Sequence, residues 1–193
     1  MTRNYAQHAS MSLLVLLAVL SGCSSMPRDE GPKTIDVEPE VRTAFDAAMV
    51  AINAGDYPKG EEILSGLISK SQQTPVPLIN LAMVQVKMGK LEEAEQSLDA
   101  ALQIEPMNPV ANNELGLLYR QTGRFEEARQ VYENILGRYP KYPAANKNLG
   151  ILCDLYLRDY SCAYKAYQAY SDVVPEDETA KIWVEDAKRR AGQ

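Results

Sequence analysis

Several residue types recur every 34 positions through the middle of this chain, and that period limits what the chain can fold into. Gly55, Gly89 and Gly123 are 34 residues apart, and the same spacing relates three prolines and three leucines. These are Pro75, Pro109, Pro143, Leu81, Leu115 and Leu149. A period of this length is typical of stacked repeats, in which a unit buries its apolar face only against its neighbours. The spacing predicts four units, at residues 41–74, 75–108, 109–142 and 143–177.

The third unit shows most clearly what each unit should form. Pro109 suits the first position of a helix, where the missing N–H costs nothing. Leu115 and Leu118 then recur at helical spacing, and Gly123 provides a turn that ends the first helix. A second helix follows and stops at Pro140. Each unit is therefore predicted to be a helix–turn–helix hairpin.

The spacing of small and apolar residues inside the units matches a known repeat. Unit three carries Leu115, Gly116, Tyr119, Gly123, Phe125, Ala128, Tyr132 and Pro140. Unit two carries Leu81, Ala82, Gly89, Ala94, Leu98, Ala101 and Pro106. Both sets resemble the tetratricopeptide repeat (TPR), and the resemblance extends over roughly residues 41–177. It implies an all-α fold, a right-handed α-solenoid of about four helix–turn–helix units.

The last residues, 178–193, place apolar side chains among charged ones. Ile182, Trp183, Val184 and Ala187 have the spacing of an amphipathic helix. We expect a capping helix that covers the exposed end of the array, followed by a short tail. In that position Trp183 is predicted to pack rather than to bind.

Unit four departs from the period by one residue. Leu149 and Gly150 are in register, but Ala163 lies 35 residues after its counterpart, so one residue has been inserted between them. The turn glycine is absent as well, and Cys153 and Cys162 flank the altered turn. A disulfide between them would staple this hairpin. The alternative is one buried and one exposed free thiol, and the sequence leaves both open.

The start of the chain has the pattern of a targeting segment. Arg3 precedes an apolar run at residues 11–20 that is too short to span a bilayer. Residues 20–23, Leu-Ser-Gly-Cys, resemble the lipobox of bacterial lipoproteins. The resemblance implies that residues 1–22 are a lipoprotein signal peptide and that Cys23 is lipidated. With Ser24 after the Cys, it implies anchoring at the periplasmic face of the outer membrane. The alternative is an ordinary signal peptide with a chance Cys. Residues 23–40 are predicted to be a flexible tether.

Composition excludes several functions. The chain has 20 Lys and Arg against 26 Asp and Glu, a net charge of −6, which disfavours nucleic-acid binding. His8 is the single histidine and would leave with the signal peptide. Without it, a Ser-His-Asp triad or a His metal site is excluded, and the sequence has no phosphate-binding loop. We therefore predict no cofactor, no metal and no enzymatic activity.

The resemblance to TPR proteins places a peptide-binding groove on the concave face, which the first helix of each unit lines. The corresponding positions are Phe45, Met49, Ile52, Ile79, Asn80, Met83, Val86, Asn113, Glu114, Leu117, Arg120, Lys147, Asn148, Ile151 and Asp154. The first half of this set is apolar and the second half is polar, so a partner segment with an apolar part followed by a polar part would suit it. The alternative is that the Met and Ile side chains pack between helices.

Together these features predict a non-enzymatic, lipid-anchored adaptor. The chain resembles pilotin-type repeat lipoproteins that help assemble the secretin pores of type IV pili. It also resembles repeat lipoproteins that scaffold peptidoglycan hydrolases. The expected partners are thus a secretin, a pilus component or a cell-wall enzyme. The alternatives are a peptidoglycan-acting enzyme, which would need a nucleophile and a base, and a structural role that uses the convex face.

Overall fold

The computed structural model describes residues 39–70 and 74–192, and this part of the chain is helical and has no strand. The predicted lipidation site, Cys23, and the predicted signal peptide lie outside the described residues. The elements are α1 Pro39–Asn53, α2 Tyr57–Ile68, α3 Val76–Lys87, α4 Leu91–Ile104, α5 Pro109–Gln121, α6 Phe125–Arg138, α7 Pro143–Ile151, a π-helix Leu152–Leu157, α8 Tyr160–Val173 and α9 Glu178–Arg190. The predicted all-α fold is confirmed.

Successive helices pair as antiparallel hairpins, α1 with α2, α3 with α4, α5 with α6, and α7 with α8. The first helices also touch across units, because α3 contacts α5 and α5 contacts α7. They therefore form one layer, and the second helices lie behind it. Helix α1 begins at Pro39, two residues before the predicted start of the first unit, since proline is well suited to the first turn of a helix.

The hairpin turns have one conformation in the first three units. Gly55, Gly89 and Gly123 take φ values of 80°, 77° and 78°, in the left-handed region that residues with a Cβ avoid. Each glycine ends a first helix and allows the chain to reverse. This common backbone conformation explains why glycine recurs at these three positions.

Close contact between the paired helices depends on small residues. A Cβ placed on Gly116 would lie 2.5 Å from Cε1 of Tyr132, whose side chain is completely buried. Gly150 has the same relation to Tyr167 in the next unit. On the facing helix, Ala128 is also fully buried. The glycines let an aromatic ring lie directly on the helix backbone.

Buried asparagines join neighbouring units. The Nδ2 of Asn112 donates to the carbonyl oxygens of Pro106 and Asn108, at 3.1 and 2.9 Å. Asn146, 34 residues later, donates to Pro140 and Tyr142 in the same way. Both side chains are at most 5% exposed. Each amide thus satisfies carbonyl groups of the loop that leads into its helix, a role the sequence analysis missed.

Ion pairs connect the second helices of successive units. Lys90 pairs with Glu61 at 2.8 Å, and Arg124, its equivalent, pairs with Glu95 at 2.7 Å. Between units three and four the two charges are exchanged. The acidic Asp159 occupies the repeat position of Lys90 and Arg124, and it pairs with Arg129 at 3.0 Å. The backbone N–H of Cys162 and the guanidinium of Arg129 lower the pKa of the Asp159 carboxyl. These pairs are partly solvent-exposed, so each contributes modestly to stability.

The extra residue of unit four lies in the π-helix Leu152–Leu157. A π-helix turn has wider hydrogen-bond spacing than an α-helix, so it accommodates one more residue without shifting the rest of the hairpin. Arg158 then takes the place of the missing turn glycine, with a φ of 55°. Among the described residues it is the one non-glycine residue with positive φ.

Replacing Arg158 by glycine is expected to raise the free energy of unfolding by about 0.5–1 kcal/mol, because an L-residue pays a steric cost in this conformation. Chemical denaturation monitored by circular dichroism would measure the change. Lys165→Gly, in the interior of α8, is the control and should lower stability by about 1 kcal/mol. A loss of stability in the Arg158→Gly variant would contradict the left-handed turn.

Helix α9 packs on α8 and covers the end of the array. The ring of Trp183 lies 5.4 Å from that of Tyr167, and Trp183 is half-buried against the core of unit four. Arg190, near the end of α9, donates to Asp154 at 2.6 Å. The predicted packing position of Trp183 is therefore the one that the structure shows.

Candidate binding groove

A groove of about 450 Å³ lies between α3 and α5, and the π-helix forms one of its walls. Its lining residues are Ala82, Met83, Val86, Lys87, Leu98, Glu114, Leu117, Leu118, Arg120, Gln121 and Tyr156. Most of them come from the layer of first helices. The described residues also line a larger hollow of about 630 Å³, but only α9 contributes side chains to it.

Helical periodicity places these side chains together. Met83, Val86 and Lys87 are three and four residues apart, so they share one face of α3. Leu117 and Gln121 share a face of α5 in the same manner. The other face of each helix is needed for the core, which the buried residues of the central cluster show. The groove is thus the face that core packing leaves available.

The floor of the groove is apolar and accessible. Met83 is 43% exposed, which is high for a large apolar side chain in a folded array. Val86 and Leu117 beside it are half-buried. A partner that covered these side chains would remove apolar surface from water, and burial of such surface favours binding.

Two cations stand at the ends of α3 and α5. Within the described part of the chain, neither Lys87 nor Arg120 forms an ion pair. The guanidinium carbon of Arg120 lies 5.8 Å from the centre of the Tyr156 ring. Tyr156 also packs against Phe125, with ring centres 4.8 Å apart. These contacts hold Tyr156 at the edge of the groove.

Glu114 ends a chain of side-chain hydrogen bonds that reaches the groove from α7. The Nδ2 of Asn148 donates to Oδ1 of Asn113 at 2.9 Å, and Asn113 donates to Glu114 at 3.2 Å. Burial raises the pKa of the Glu114 carboxyl, and the Asn113 hydrogen bond and the charge of Lys87 act in the opposite direction. The carboxyl is therefore easier to protonate than an exposed one.

The structure assigns most of the predicted groove positions in units one and two to packing. Phe45 and Ile52 contact the core of the first unit, and Met49 is half-buried. Ile79 is 5% exposed and belongs to the central core cluster. Asn80 donates to the carbonyl of Val76 in its own helix, at 2.9 Å. None of these five side chains lines the groove between α3 and α5.

The predicted groove positions of unit four make contacts within the chain itself. The Lys147 ammonium lies over the rings of Tyr170 and Trp183, 5.3 and 5.2 Å from their centres. Asn148 is bonded to Asn113, and Ile151 packs against the core. Of the predicted set, five residues line the groove: Met83, Val86, Glu114, Leu117 and Arg120.

Six lining residues were not among the predicted groove positions. Ala82, Leu98 and Leu118 are buried core residues at the base of the groove, and the other three are Lys87, Gln121 and Tyr156. Lys87 and Gln121 are 34 residues apart, and Tyr156 follows Gln121 by 35, which is the period plus the inserted residue. All three therefore occupy one repeat position, next to the position of Val86 and Arg120. Reading the period one residue further along each first helix would have found them.

Cys153 and Cys162 are joined by a disulfide in the structure, with their Cα atoms 5.8 Å apart. Cys153 is fully buried, and Cys162 is half-buried at the start of α8. The bond links the π-helix to α8, on the hairpin that carries Tyr156. It spans the hairpin turn in which Arg158 stands in place of the glycine of the first three units.

Other kinds of site are missing from the part of the chain that the structure describes. Within residues 39–70 and 74–192, no three His, Cys, Asp or Glu side chains are grouped so that they could hold a metal. Over the same ranges, no helix has both the length and the apolar character needed to cross a bilayer.

Comparison with known proteins agrees with the repeat. Residues 79–143 match the sequence model of the tetratricopeptide repeat family. That match covers most of α3 and all of α4, α5 and α6. No curated protein matches the sequence.

Solved structures with the same fold cover most of the chain. A tetratricopeptide repeat protein from Parabacteroides merdae superposes with a TM-score of 0.68 at 23% identity over 80% of this chain. This chain spans 61% of that protein's length. A fragment of MamA from Desulfovibrio magneticus gives a TM-score of 0.66 at 17% identity, covering 79% of this chain and 86% of that fragment.

A third similar structure contains a bound protein. Naa15/Naa10 bound to HypK-THB superposes with a TM-score of 0.65 at 20% identity, covering 79% of this chain and 23% of that one. Identities this low establish the fold alone. The chain thus folds as a tetratricopeptide-like solenoid, and its sequence matches the repeat family itself over residues 79–143.

Proposed function

We propose that this protein is a non-enzymatic adaptor that holds a segment of a partner protein in the groove between α3 and α5. The observation that carries the proposal is the accessible apolar floor, with Met83 43% exposed beside Val86 and Leu117. An exposed apolar strip inside a concave site is a common mark of a protein-binding surface. One structure with a similar fold is that of Naa15/Naa10 bound to HypK-THB.

The partner segment is expected to be short. Beyond α5 the layer of first helices is closed by the chain's own contacts, since Arg190 pairs with Asp154 and Lys147 lies over Tyr170 and Trp183. Tyr156 forms the wall on that side. A segment that contacts α3, α5 and Tyr156 therefore occupies units two and three and the edge of unit four rather than the whole array.

The adaptor is proposed to act at a membrane surface. The lipobox-like residues 20–23 support lipidation of Cys23 and a place at the periplasmic face of the outer membrane. The proposed partners are a secretin or another component of type IV pilus assembly. Attachment to a membrane raises the local concentration of the groove at that surface, which favours a modest-affinity interaction.

Two charged substitutions in the groove test the adaptor function. Met83→Glu with Leu117→Glu is expected to weaken partner binding at least about tenfold, because two hydrated carboxylates would replace the apolar floor and would lose their water when a partner docks. The partner is first captured with the full chain from detergent-solubilised envelopes. Once identified and purified, its affinity for each variant is measured by biolayer interferometry.

Val50→Glu with Val110→Glu is the matched control. These valines are 69% and 43% exposed and lie outside the groove, so the same chemical change there should leave binding intact. Circular dichroism would verify that both variants fold. Unchanged affinity in the folded groove variant would refute the groove. If the partner whose binding depends on the groove is a peptidoglycan hydrolase, the adaptor function stands and the pilus assignment is wrong.

A further inference from the structure

The groove has a local charge opposite to that of the whole chain. The chain carries a net charge of −6, but the groove is lined by two cations, Lys87 and Arg120, and by one carboxylate, Glu114. Two cations against one carboxylate leave this lining with an excess of positive charge. An approaching segment therefore meets a basic site on an acidic protein.

Both cations are available to a partner. Lys90 and Arg124, a few residues further along in the same two units, are each held by a carboxylate of the preceding unit. Lys87 and Arg120 have no such carboxylate among the described residues. Arg120 is half-buried and forms no ion pair with a described carboxylate, so a ligand carboxylate could pair with its partly desolvated charge.

The positions of the two cations also define a spacing between charged and apolar side chains in the groove. Lys87 follows Met83 by four residues on α3, and Arg120 follows Leu117 by three on α5. Each cation thus lies about one helical turn, roughly 5 Å, from an apolar side chain of the floor. A matching ligand has an acidic group at a similar distance from its apolar anchor.

We infer that the segment bound in this groove pairs an apolar anchor with neighbouring acidic side chains, and that Lys87 and Arg120 determine this preference. The anchor covers Met83, Val86 and Leu117, and the acidic side chains meet the ammonium and the guanidinium. Tyr156 borders the Arg120 side of the site. The inference rests on the adaptor function proposed above and specifies the chemistry of its partner.

Three synthetic peptides test the inference. They share the same leucine anchors and differ only at two flanking positions, which carry glutamate, glutamine or lysine. Fluorescence anisotropy with the purified full chain measures their affinities at low and at physiological salt. At low salt the glutamate peptide is expected to bind at least about tenfold tighter than the lysine peptide, because like charges oppose docking. The preference should shrink as salt is added.

Charge-reversal variants attribute the preference to the two cations. Lys87→Glu with Arg120→Glu should remove or invert it. Lys141→Glu with Lys165→Glu, an equal charge change at exposed lysines outside the groove, should leave most of it in place. If all three peptides bind equally, the acidic preference is wrong and the adaptor function stands. If the preference survives loss of Lys87 and Arg120, the inference is also overturned. If no peptide binds, both the proposed binding role of the groove and the acidic preference are refuted.

Discussion

Replacing Gly116 by alanine is expected to lower the free energy of unfolding by about 1–3 kcal/mol, although alanine is the better helix former. The new Cβ would meet the Tyr132 ring at 2.5 Å, well inside van der Waals contact. Tyr132 is completely buried, so its ring cannot move out into solvent to make room. The two helices of unit three must therefore separate. Chemical denaturation followed by circular dichroism measures the loss.

Gly137 supplies the matched control for this substitution. It lies in α6, and a Cβ there would have no heavy atom within 4 Å. Gly137→Ala should therefore raise the free energy of unfolding by about 0.5–1 kcal/mol through helix propensity alone. Gly150→Ala, against Tyr167, should behave like Gly116→Ala. Equal stability changes at Gly116 and Gly137 would contradict the close approach of α5 and α6.

Much of the fold could be predicted because its determinants are local. Gly55, Gly89 and Gly123 each specify a turn through their own backbone conformation, and the prolines mark the ends of helices. Stacking then repeats one packing arrangement, so that a fixed period in the sequence becomes a fixed period in space. The hairpins of units two and three follow from these residues with little information from distant parts of the chain.

The groove was harder to predict because it depends on contacts between units. The repeat register assigns Ile79 and Lys147 to the same layer as Met83, but Ile79 turns into the core and Lys147 lies against α8 and α9. Neither outcome is visible from spacing within one helix. Which members of a helical face remain open is decided by the neighbouring helices.

The inserted residue of unit four shows how one local change affects two places. The sequence revealed the insertion, but not that a π-helix would absorb it or that Arg158 would take a left-handed conformation. The same insertion brings Tyr156 to the repeat position of Lys87 and Gln121, where it forms the wall of the groove. Hydrogen-bond spacing inside a helix is a cooperative property, so residue counting alone does not determine it.

Removing the Cys153–Cys162 disulfide is expected to lower the free energy of unfolding by about 3 kcal/mol. The bond closes a loop with a sequence separation of nine residues, and cross-links of that size restrict the unfolded chain by roughly this amount. The Cys153→Ala/Cys162→Ala variant and the oxidised wild type are compared by chemical denaturation. Alanine avoids placing a polar atom at position 153, which is fully buried.

The response to reductant separates the disulfide from simple loss of packing. A reducing agent should destabilise the wild type and leave the double-alanine variant unchanged, because only the wild type has a bond to break. Cys23→Ala is the control and should respond to the reductant as the wild type does. A thiol count on the unfolded Cys23→Ala protein completes the test. Two reactive thiols without reductant would show that Cys153 and Cys162 are free, and unit four would then be held by noncovalent contacts alone.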